Sequence, residues 1–275
     1  MAEKTVKEFV SIENFVDNLN LKKGDNILLS SDIRKLAYTY FYNQKKQSKD
    51  DSKLDFSFES FLDKLIDCIK VAIGDDGTLA IPTYNWDFCK GVAFNINKTP
   101  CKTGSLGTKA LTRNDFKRTK HPIYSFAITG FLKEEFFSLD NKDSFDSSSP
   151  FALFHKYGFK NIIIDVSLQY SFTFVHYVEE GTGIVTYRFV KDFNADYTDE
   201  KGETTPRTYS MFVRDYSREV VNTINPIASK FEAAGAIDYL NYDVSKVMIV
   251  DLQKAYNVIR DDVLHNNSAC ICDHN

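Results

Sequence analysis

Histidine is the side chain best suited to move protons near neutral pH, and this sequence has five histidines. His176 lies in the segment YSFTFVHYVEE, with Glu179 and Glu180 three and four residues after it. If the segment is helical, both carboxylates lie one turn from the imidazole, where they could orient its tautomer or bind a cationic substrate. The alternative is a structural histidine in an amphipathic helix. Without further support for a functional role, this is the more common explanation of such a pattern.

The other histidines are weaker candidates for a general base. His265 and His274 lie near the end of the chain, and His155 falls on a predicted helix, PFALFHKY. His121 precedes a proline and therefore favours an extended or turn conformation. It begins the segment HPIYSF, in which Ser125 is expected at the start of a strand.

Two short segments could bind anionic groups, because each lies just before a predicted helix and helix N-termini attract phosphates. In the first, we expect a serine to be the helix N-cap, Ser31. Helix capping alone would explain both segments. Their residues are Ser30, Ser31 and Asp32 in the first and Thr103, Gly104 and Ser105 in the second.

Six basic residues lie close together in the sequence, one directly before the second of these segments and five after it. They could form a phosphate clamp, or they could be an ordinary solvated surface in a protein that is acidic overall. They are Lys102, Lys109, Arg113, Lys117, Arg118 and Lys120.

Several familiar motifs are incomplete. The segment TGSLGTKA at 103–110 lacks both the spacing and the final Ser or Thr of a phosphate loop, and GTGIVT at 181–186 lacks the third glycine of a dinucleotide fingerprint. His176 is not part of an HExxH zinc motif. Cys270-x-Cys272-x-His274 offers three metal ligands where a structural zinc site needs four, so no metal is expected.

Composition excludes other classes of protein. The chain has 275 residues, 43% of them hydrophobic, and a net charge of −4. One compact domain over residues 1–275 is therefore expected, without nucleic-acid or membrane partners. The N-terminus does not resemble a secretion signal and the five cysteines have no framework spacing, which favours reduced thiols in the cytoplasm. Self-association is left open.

The order of predicted elements indicates an α/β fold, a layered sheet flanked by helices. We predict helices at 5–19, 56–73, 222–234 and 252–264, and strands at 26–30, 78–82, 125–130, 161–166 and 246–250. Residues 184–215 alternate apolar and polar side chains around a polar turn, which predicts an added antiparallel hairpin as a candidate substrate-side subdomain. The polar run at 43–53 is expected to be a surface loop.

Four stretches in order resemble the aminoglycoside 3-N-acetyltransferase family, which is distinct from the GNAT fold. They are GDNILLSSDIRKL at 24–36, DDGTLAIPTYNWDFC at 75–89, TPCKTGSLGTKALTR with KHPIYSFAITG within 99–130, and SSPFALFHKYGFKNIIIDVSLQYSFTFVHYVEE at 148–180. The resemblance departs from the family pattern after the strand at 161–166, where DVSLQ replaces a Gly-rich turn.

The resemblance implies acetyl transfer from acetyl-CoA to a primary amine. His176 then resembles the family's general base, supported by Glu179, and Ser125 would lie beside the thioester as an oxyanion donor. The two helix starts, with Lys109 and His121, would contact the coenzyme. Two other readings stay open. One is a serine hydrolase that uses Ser171 or Ser125 with His176 and Asp165, although no GxSxG motif is present. The other is a non-catalytic protein that binds a sugar or coenzyme A.

The substrate is expected to be a small amino sugar. An aminoglycoside antibiotic is a polycation and needs many carboxylates, whereas the segments around His176 are rich in aromatic residues, which suit a sugar face or a nucleobase. This favours a nucleotide-linked amino sugar of the dTDP-3-amino-3,6-dideoxyhexose type, destined for a surface polysaccharide, over an antibiotic. The aromatics could also simply fill the core. The expected substrate contacts are Tyr84, Trp86, Asp87, Tyr170 and Glu180.

Overall fold

The structure is a computed structural model that describes residues 6–7, 11–47, 57–242 and 245–274. Its helices are α1 (Ile12–Asn18), α2 (Arg34–Gln47), α3 (Phe58–Ile73), α4 (Ser105–Thr112), α5 (Lys133–Ser138), α6 (Pro150–Lys156), α7 (Leu168–Ser171), α8 (Phe174–Thr182), α9 (Ala228–Ala233) and α10 (Leu252–His265). Its strands are β1 (Val6–Lys7), β2 (Asn26–Ser31), β3 (Thr78–Pro82), β4 (Phe94–Asn95), β5 (Lys117–Arg118), β6 (Phe126–Gly130), β7 (Lys160–Ile164), β8 (Arg188–Thr198), β9 (Thr204–Arg214), β10 (Val220–Asn222), β11 (Ile237–Tyr242), β12 (Lys246–Asp251) and β13 (Cys272–His274).

Within the described residues, eight strands form the main sheet in the order β1-β11-β12-β7-β2-β3-β6-β5. The centre of the sheet, β7, β2 and β3, is parallel, and antiparallel pairing surrounds it. Side chains of a strand alternate between the two faces of the sheet. On β2, Ile27 and Leu29 accordingly enter the core beneath α1, α3 and α4, and Leu28 enters the core beneath α6, α8 and α10. This confirms the predicted α/β layered sheet.

Local signals explain the helix that precedes β3. Ser57 is the N-cap of α3 and accepts a hydrogen bond from the backbone N–H of Ser60 at 3.2 Å. Six apolar side chains at helical spacing are buried: Phe61, Leu62, Leu65, Ile66, Ile69 and Ile73. Gly74 ends the helix with a φ of 68°, a conformation that favours glycine.

The predicted antiparallel hairpin is also confirmed. Strands β8 and β9 pair along their whole length, from Arg188 opposite Arg214 to Thr198 opposite Thr204. The short strand β4 runs parallel to β8 at the turn end of the hairpin. A small core of its own fixes this unit to the main body: Phe88, Phe94, Ile96, Ile123, Tyr197 and Tyr209.

Three sequence predictions need correction. The helix expected at 5–19 is a strand at Val6–Lys7 and a helix at Ile12–Asn18, and 8–10 lie outside the described residues. In the loop expected at 43–53, residues 43–47 continue α2, because lysine and glutamine are good helix formers, and 48–53 are not described. The helix expected at 222–234 is α9 alone, preceded by a 3-10 turn and by β10.

Candidate active site

His176 lies on the first turns of α8, and its side chain is mostly buried. Its Nδ1 lies 2.7 Å from Oε2 of Glu179, one turn along the helix. A carboxylate accepts hydrogen bonds, so Nδ1 carries the proton and Nε2 keeps its lone pair. The described residues give Nε2 no hydrogen-bond partner. The imidazole is therefore held in the tautomer that a general base requires.

Glu179 is fully buried and has two further partners outside its own helix. The Tyr187 hydroxyl donates to Oε1 at 2.7 Å. Nε of Arg188 lies 3.3 Å from Oε2 in an ion pair, while the two terminal nitrogens of Arg188 donate to the carbonyl of Phe212 and to Asn222. Sequence reasoning missed both partners, because they lie on β8 and in the residue before it, with no periodic relation to His176.

These contacts set the charge states of the pair. Burial raises the pKa of the Glu179 carboxyl, but the hydrogen bond from His176 and the positive charge of Arg188 outweigh burial, and the net shift is downward. Burial is the largest cause that lowers the pKa of His176 below 6.5, and Arg188 lowers it further, against the opposing effect of Glu179. At neutral pH the pair is thus an ionised carboxylate beside a neutral imidazole.

Replacing Arg188 by glutamine should raise the pKa of His176. The positive charge of Arg188 disfavours the imidazolium, so its removal stabilises the protonated ring, and the acid limb of the pH–rate profile should move to higher pH. NMR titration of the imidazole protons measures this directly. Arg218→Gln, at an exposed arginine paired with Asp215, is the control. An unchanged or lower pKa of His176 in the Arg188 variant would show that Arg188 does not lower the pKa of this imidazole.

His176 opens onto a cavity of about 700 Å³ between α8 and the root of the hairpin, called here the His176 cavity. Aromatic side chains and basic groups dominate its lining, and Asp215 is the one carboxylate among the lining residues. The lining comprises Tyr124, His176, Arg188, Phe189, Lys191, Phe193, Met211, Phe212, Val213, Arg214, Asp215, Tyr216, Ser217 and Asn222.

A second cavity, of about 300 Å³, lies at the carboxyl ends of β2 and β3 and is called here the Ser31 cavity. It brings together residues that the sequence analysis had assigned to two different ligands. Ser30, Ser31 and Thr103 line it, as do Tyr84, Trp86 and Tyr170, along with Lys102, Val166, Ser171 and Thr173. Ligands of α/β sheets bind at this edge.

The start of α4 fits tightly against this cavity. Gly104 is the N-cap, with a φ of 112° that favours glycine, and Thr103 donates its hydroxyl to the carbonyl of Pro82 at 2.7 Å. A Cβ on Gly107 would come within 2.5 Å of the same carbonyl. The backbone N–H groups at the helix start therefore lie close to the cavity floor. The predicted N-cap Ser31 is instead the last residue of β2, and Asp32 accepts the backbone N–H of Arg34.

Aromatic rings of the two cavity linings lie next to one another. Tyr84 and Trp86 line the Ser31 cavity and Tyr124 lines the His176 cavity. The ring centroids of Tyr84 and Tyr124 are 4.8 Å apart, and those of Trp86 and Tyr124 are 6.3 Å apart. These rings, called here the aromatic wall, mark where the linings of the two cavities meet.

Ser125 supports the wall from behind. It is fully buried, donates to the carbonyl of Thr83 at 2.8 Å and accepts from Nε of Arg118 at 2.9 Å. Because Thr83 precedes Tyr84 and Ser125 follows Tyr124, this network fixes both rings. Burial lowers the pKa of Arg118 to about 10. Ser125 lines neither cavity.

The serine hydrolase triad is not assembled. The Ser171 hydroxyl donates to the carbonyl of Ser167, and Ser125 is bonded to Thr83 and Arg118. The carboxylate that bonds to His176 belongs to Glu179, while Asp165 accepts the backbone N–H of Lys246.

Other predicted site residues lie away from the cavities. Lys109 pairs with Asp63 and Glu59 on α3, and Asp32 pairs with Arg34. His121 is buried, with Nδ1 accepting two backbone N–H groups and Nε2 facing the carbonyl of Lys142, and burial lowers its pKa to about 4. Asp87 pairs with Lys102 at the edge of the Ser31 cavity.

The predicted phosphate clamp does not form. Of the six basic residues, only Lys102 lines the Ser31 cavity. Arg113 bonds to three aspartates, Lys117 pairs with Glu134, and Lys120 lies over the Phe137 ring.

Glu180, a predicted substrate contact, lines neither cavity. It lies near Asp143 and Asp146, and burial, reinforced by repulsion from these two carboxylates, raises its pKa to about 8. The carboxylate at i+3 therefore contacts His176, and the one at i+4 belongs to a different cluster.

Among the described residues, no group of three or more His, Cys, Asp or Glu side chains is placed to hold a metal ion. In the same part of the chain, no helix has the length and apolar character needed to cross a membrane.

Comparison with known proteins decides the family. A family model described as aminoglycoside 3-N-acetyltransferase matches residues 55–263. The chain belongs to the aminoglycoside 3-N-acetyltransferase family. It is an N-acetyltransferase that uses acetyl-CoA, as the sequence resemblance implied. A search of curated proteins finds no match.

Several solved structures share the fold of this family member. YokD from Bacillus subtilis is 17% identical with a TM-score of 0.70, over 96% of both chains. AAC-IIIb with CoASH is 16% identical with a TM-score of 0.70, over 94% of this chain and 97% of that one. AAC-VIa with sisomicin bound is 15% identical with a TM-score of 0.71, over 94% and 98%.

Proposed function

We propose that this N-acetyltransferase acetylates the primary amine of a nucleotide-linked amino sugar, of the dTDP-3-amino-3,6-dideoxyhexose type, in the cytoplasm for surface polysaccharide synthesis. The observation that carries the proposal is the His176–Glu179 pair, which faces one cavity while a second cavity lies behind the aromatic wall. In this proposal acetyl-CoA occupies the Ser31 cavity and the amine enters the His176 cavity.

The chemistry follows from the tautomer of His176. Nε2 removes a proton from the amine as its nitrogen attacks the thioester carbonyl, and Glu179 stabilises the imidazolium that forms. Collapse of the tetrahedral intermediate breaks the carbon–sulfur bond. The imidazolium then returns the proton to the leaving thiolate, which restores the neutral base and releases coenzyme A.

The lining of the His176 cavity supports the choice of substrate. A polycationic antibiotic needs several free carboxylates, whereas Asp215 is the only one among the lining residues, and it accepts the backbone N–H and hydroxyl of Ser217. The aromatic side chains of the cavity suit a sugar face or a nucleobase.

Aminoglycoside acetylation is the second candidate. The description of the family and the sisomicin bound to AAC-VIa favour it. Thiol release measured in parallel on aminoglycosides and on dTDP-amino sugars separates the two: efficient turnover confined to the antibiotics would refute the nucleotide-sugar proposal and leave the acetyltransferase intact.

The double variant Ser31→Ala/Thr103→Ala should raise the apparent acetyl-CoA constant more than it lowers turnover. Contacts with the coenzyme are present equally in the ground and transition states and so contribute uniform binding. Calorimetric titration with coenzyme A tests this. Thr112→Ala is the control, because Thr112 lies at the opposite end of α4 and bonds only to the helix backbone. Unchanged affinity in the double variant would mean that Ser31 and Thr103 have a structural role alone.

A further inference from the structure

Two arginines lie directly opposite each other at the root of the hairpin. Arg188 on β8 pairs in register with Arg214 on β9. Like charges at opposed positions destabilise a sheet. Glu179 balances Arg188, but the described residues give Arg214 no ion pair, and its guanidinium lies over the Tyr216 ring at 4.4 Å.

Lys191 adds a second unpaired cation to the same cavity. It is exposed, lies 5.4 Å from the centroid of the Phe193 ring and has no ion pair in the part of the chain that the structure describes. Asp215 offsets only part of this positive charge, since it also pairs with Arg218, which lies outside the cavity at 3.9 Å.

Other basic side chains of the described residues also lack a carboxylate, such as Arg118 and Lys120, but they line neither cavity, and the best-paired arginine lies on the far side of the sheet. This is Arg113, which contacts three carboxylates: Asp63, Asp67 and Asp115. What distinguishes Arg214 and Lys191 is that both line the cavity that contains His176, where they leave the lining with an excess of positive charge.

We propose that Arg214 and Lys191 form an anion subsite that binds the diphosphate of the acetyl acceptor. This inference rests on the proposed function and specifies how the substrate is held. The planar guanidinium of Arg214 suits bidentate binding of phosphate oxygens, and Lys191 supplies a point charge. Phe189 and Tyr216, 48% and 83% exposed, lie beside the cations and offer faces for a nucleobase.

Coenzyme A also carries phosphates and is the other source of such a ligand. The two sources are distinguished by titrating wild type, Arg214→Gln and Lys191→Gln with dTDP and, separately, with coenzyme A. We expect each substitution to weaken dTDP binding by about tenfold or more, as for loss of a charge-assisted contact, and to leave coenzyme A affinity unchanged. Lys201→Gln, in the hairpin turn far from the cavity, controls for net charge, and thermal melting checks the folding of each variant.

Each outcome has one meaning. Loss of coenzyme A affinity instead of dTDP affinity would assign the cations to the coenzyme and overturn the acceptor subsite. Acetyl transfer to amines by a wild-type enzyme that does not bind dTDP would also overturn it, while sparing the acetyltransferase. Binding of dTDP that depends on Arg214 and Lys191, in an enzyme that transfers acetyl groups to none of the amines tested, would leave the subsite standing and refute the proposed function.

Discussion

Replacing His176 by alanine should lower kcat by a factor on the order of 10² to 10⁴, with acetyl-CoA affinity nearly intact, because the proposed general base is lost and the Ser31 cavity is untouched. Thiol release at saturating substrates gives kcat, and titration with coenzyme A gives the affinity. His155→Ala is the matched control, since His155 is a half-buried histidine on α6 that lines neither cavity. A His176 variant that keeps more than about half of the wild-type rate would show that another group is the base.

Glu179→Gln should lower kcat by a factor similar to that of His176→Ala, roughly 10² to 10⁴, although the side chain keeps its shape. An amide can donate to Nδ1, which moves the ring proton to Nε2 and removes the lone pair that accepts the amine proton. The ¹⁵N spectrum of the imidazole reports this change of tautomer, which a merely structural role of Glu179 would not produce.

Tyr187→Phe provides a graded comparison for Glu179. It removes one hydrogen bond to the carboxylate and keeps the contact with His176, so its loss of activity should be smaller. Glu179→Gln also deprives the buried Arg188 of its charge partner, so assays belong well below the melting temperature of the variant. A glutamine variant with wild-type kcat and an unchanged tautomer would contradict the assigned role.

The parts of the site that could be read from sequence are those encoded locally. A histidine and a glutamate three residues apart on one helix lie close to each other, regardless of what surrounds the helix. His176 and Glu179 were therefore recognisable as a pair. Arg188 and Tyr187 reach Glu179 because the chain turns after α8 and enters the hairpin, and no spacing rule connects a helix residue to the first residue of the next strand. The positions of the aromatic residues relative to the two cavities were also not readable from sequence. Tyr84 and Tyr124 belong to loops 40 residues apart, which Arg118 holds together by hydrogen bonds.

The fold shows the same contrast. The hairpin was predicted because its alternation is strong over both strands, and α3 because its cap and apolar stripe agree. The predicted helix at 222–234 starts too early for a long-range reason: Asn222 ends β10, which pairs with β13 about 50 residues later. Strand β11 was missed because half of its side chains are only partly covered, which hides the apolar pattern.

The position of β7 in the sheet also bears on how the protein is made. Its apolar residues Ile162, Ile163 and Ile164 lie between β2, made long before, and β12, which follows some 80 residues later. On a ribosome, β7 therefore emerges with one neighbour ready and the opposite edge unpaired until residues 246–251 have left the exit tunnel. Unpaired apolar edges recruit other chains. We therefore expect nascent chains that stall in this interval to expose an apolar strand edge and to aggregate more readily than the complete chain.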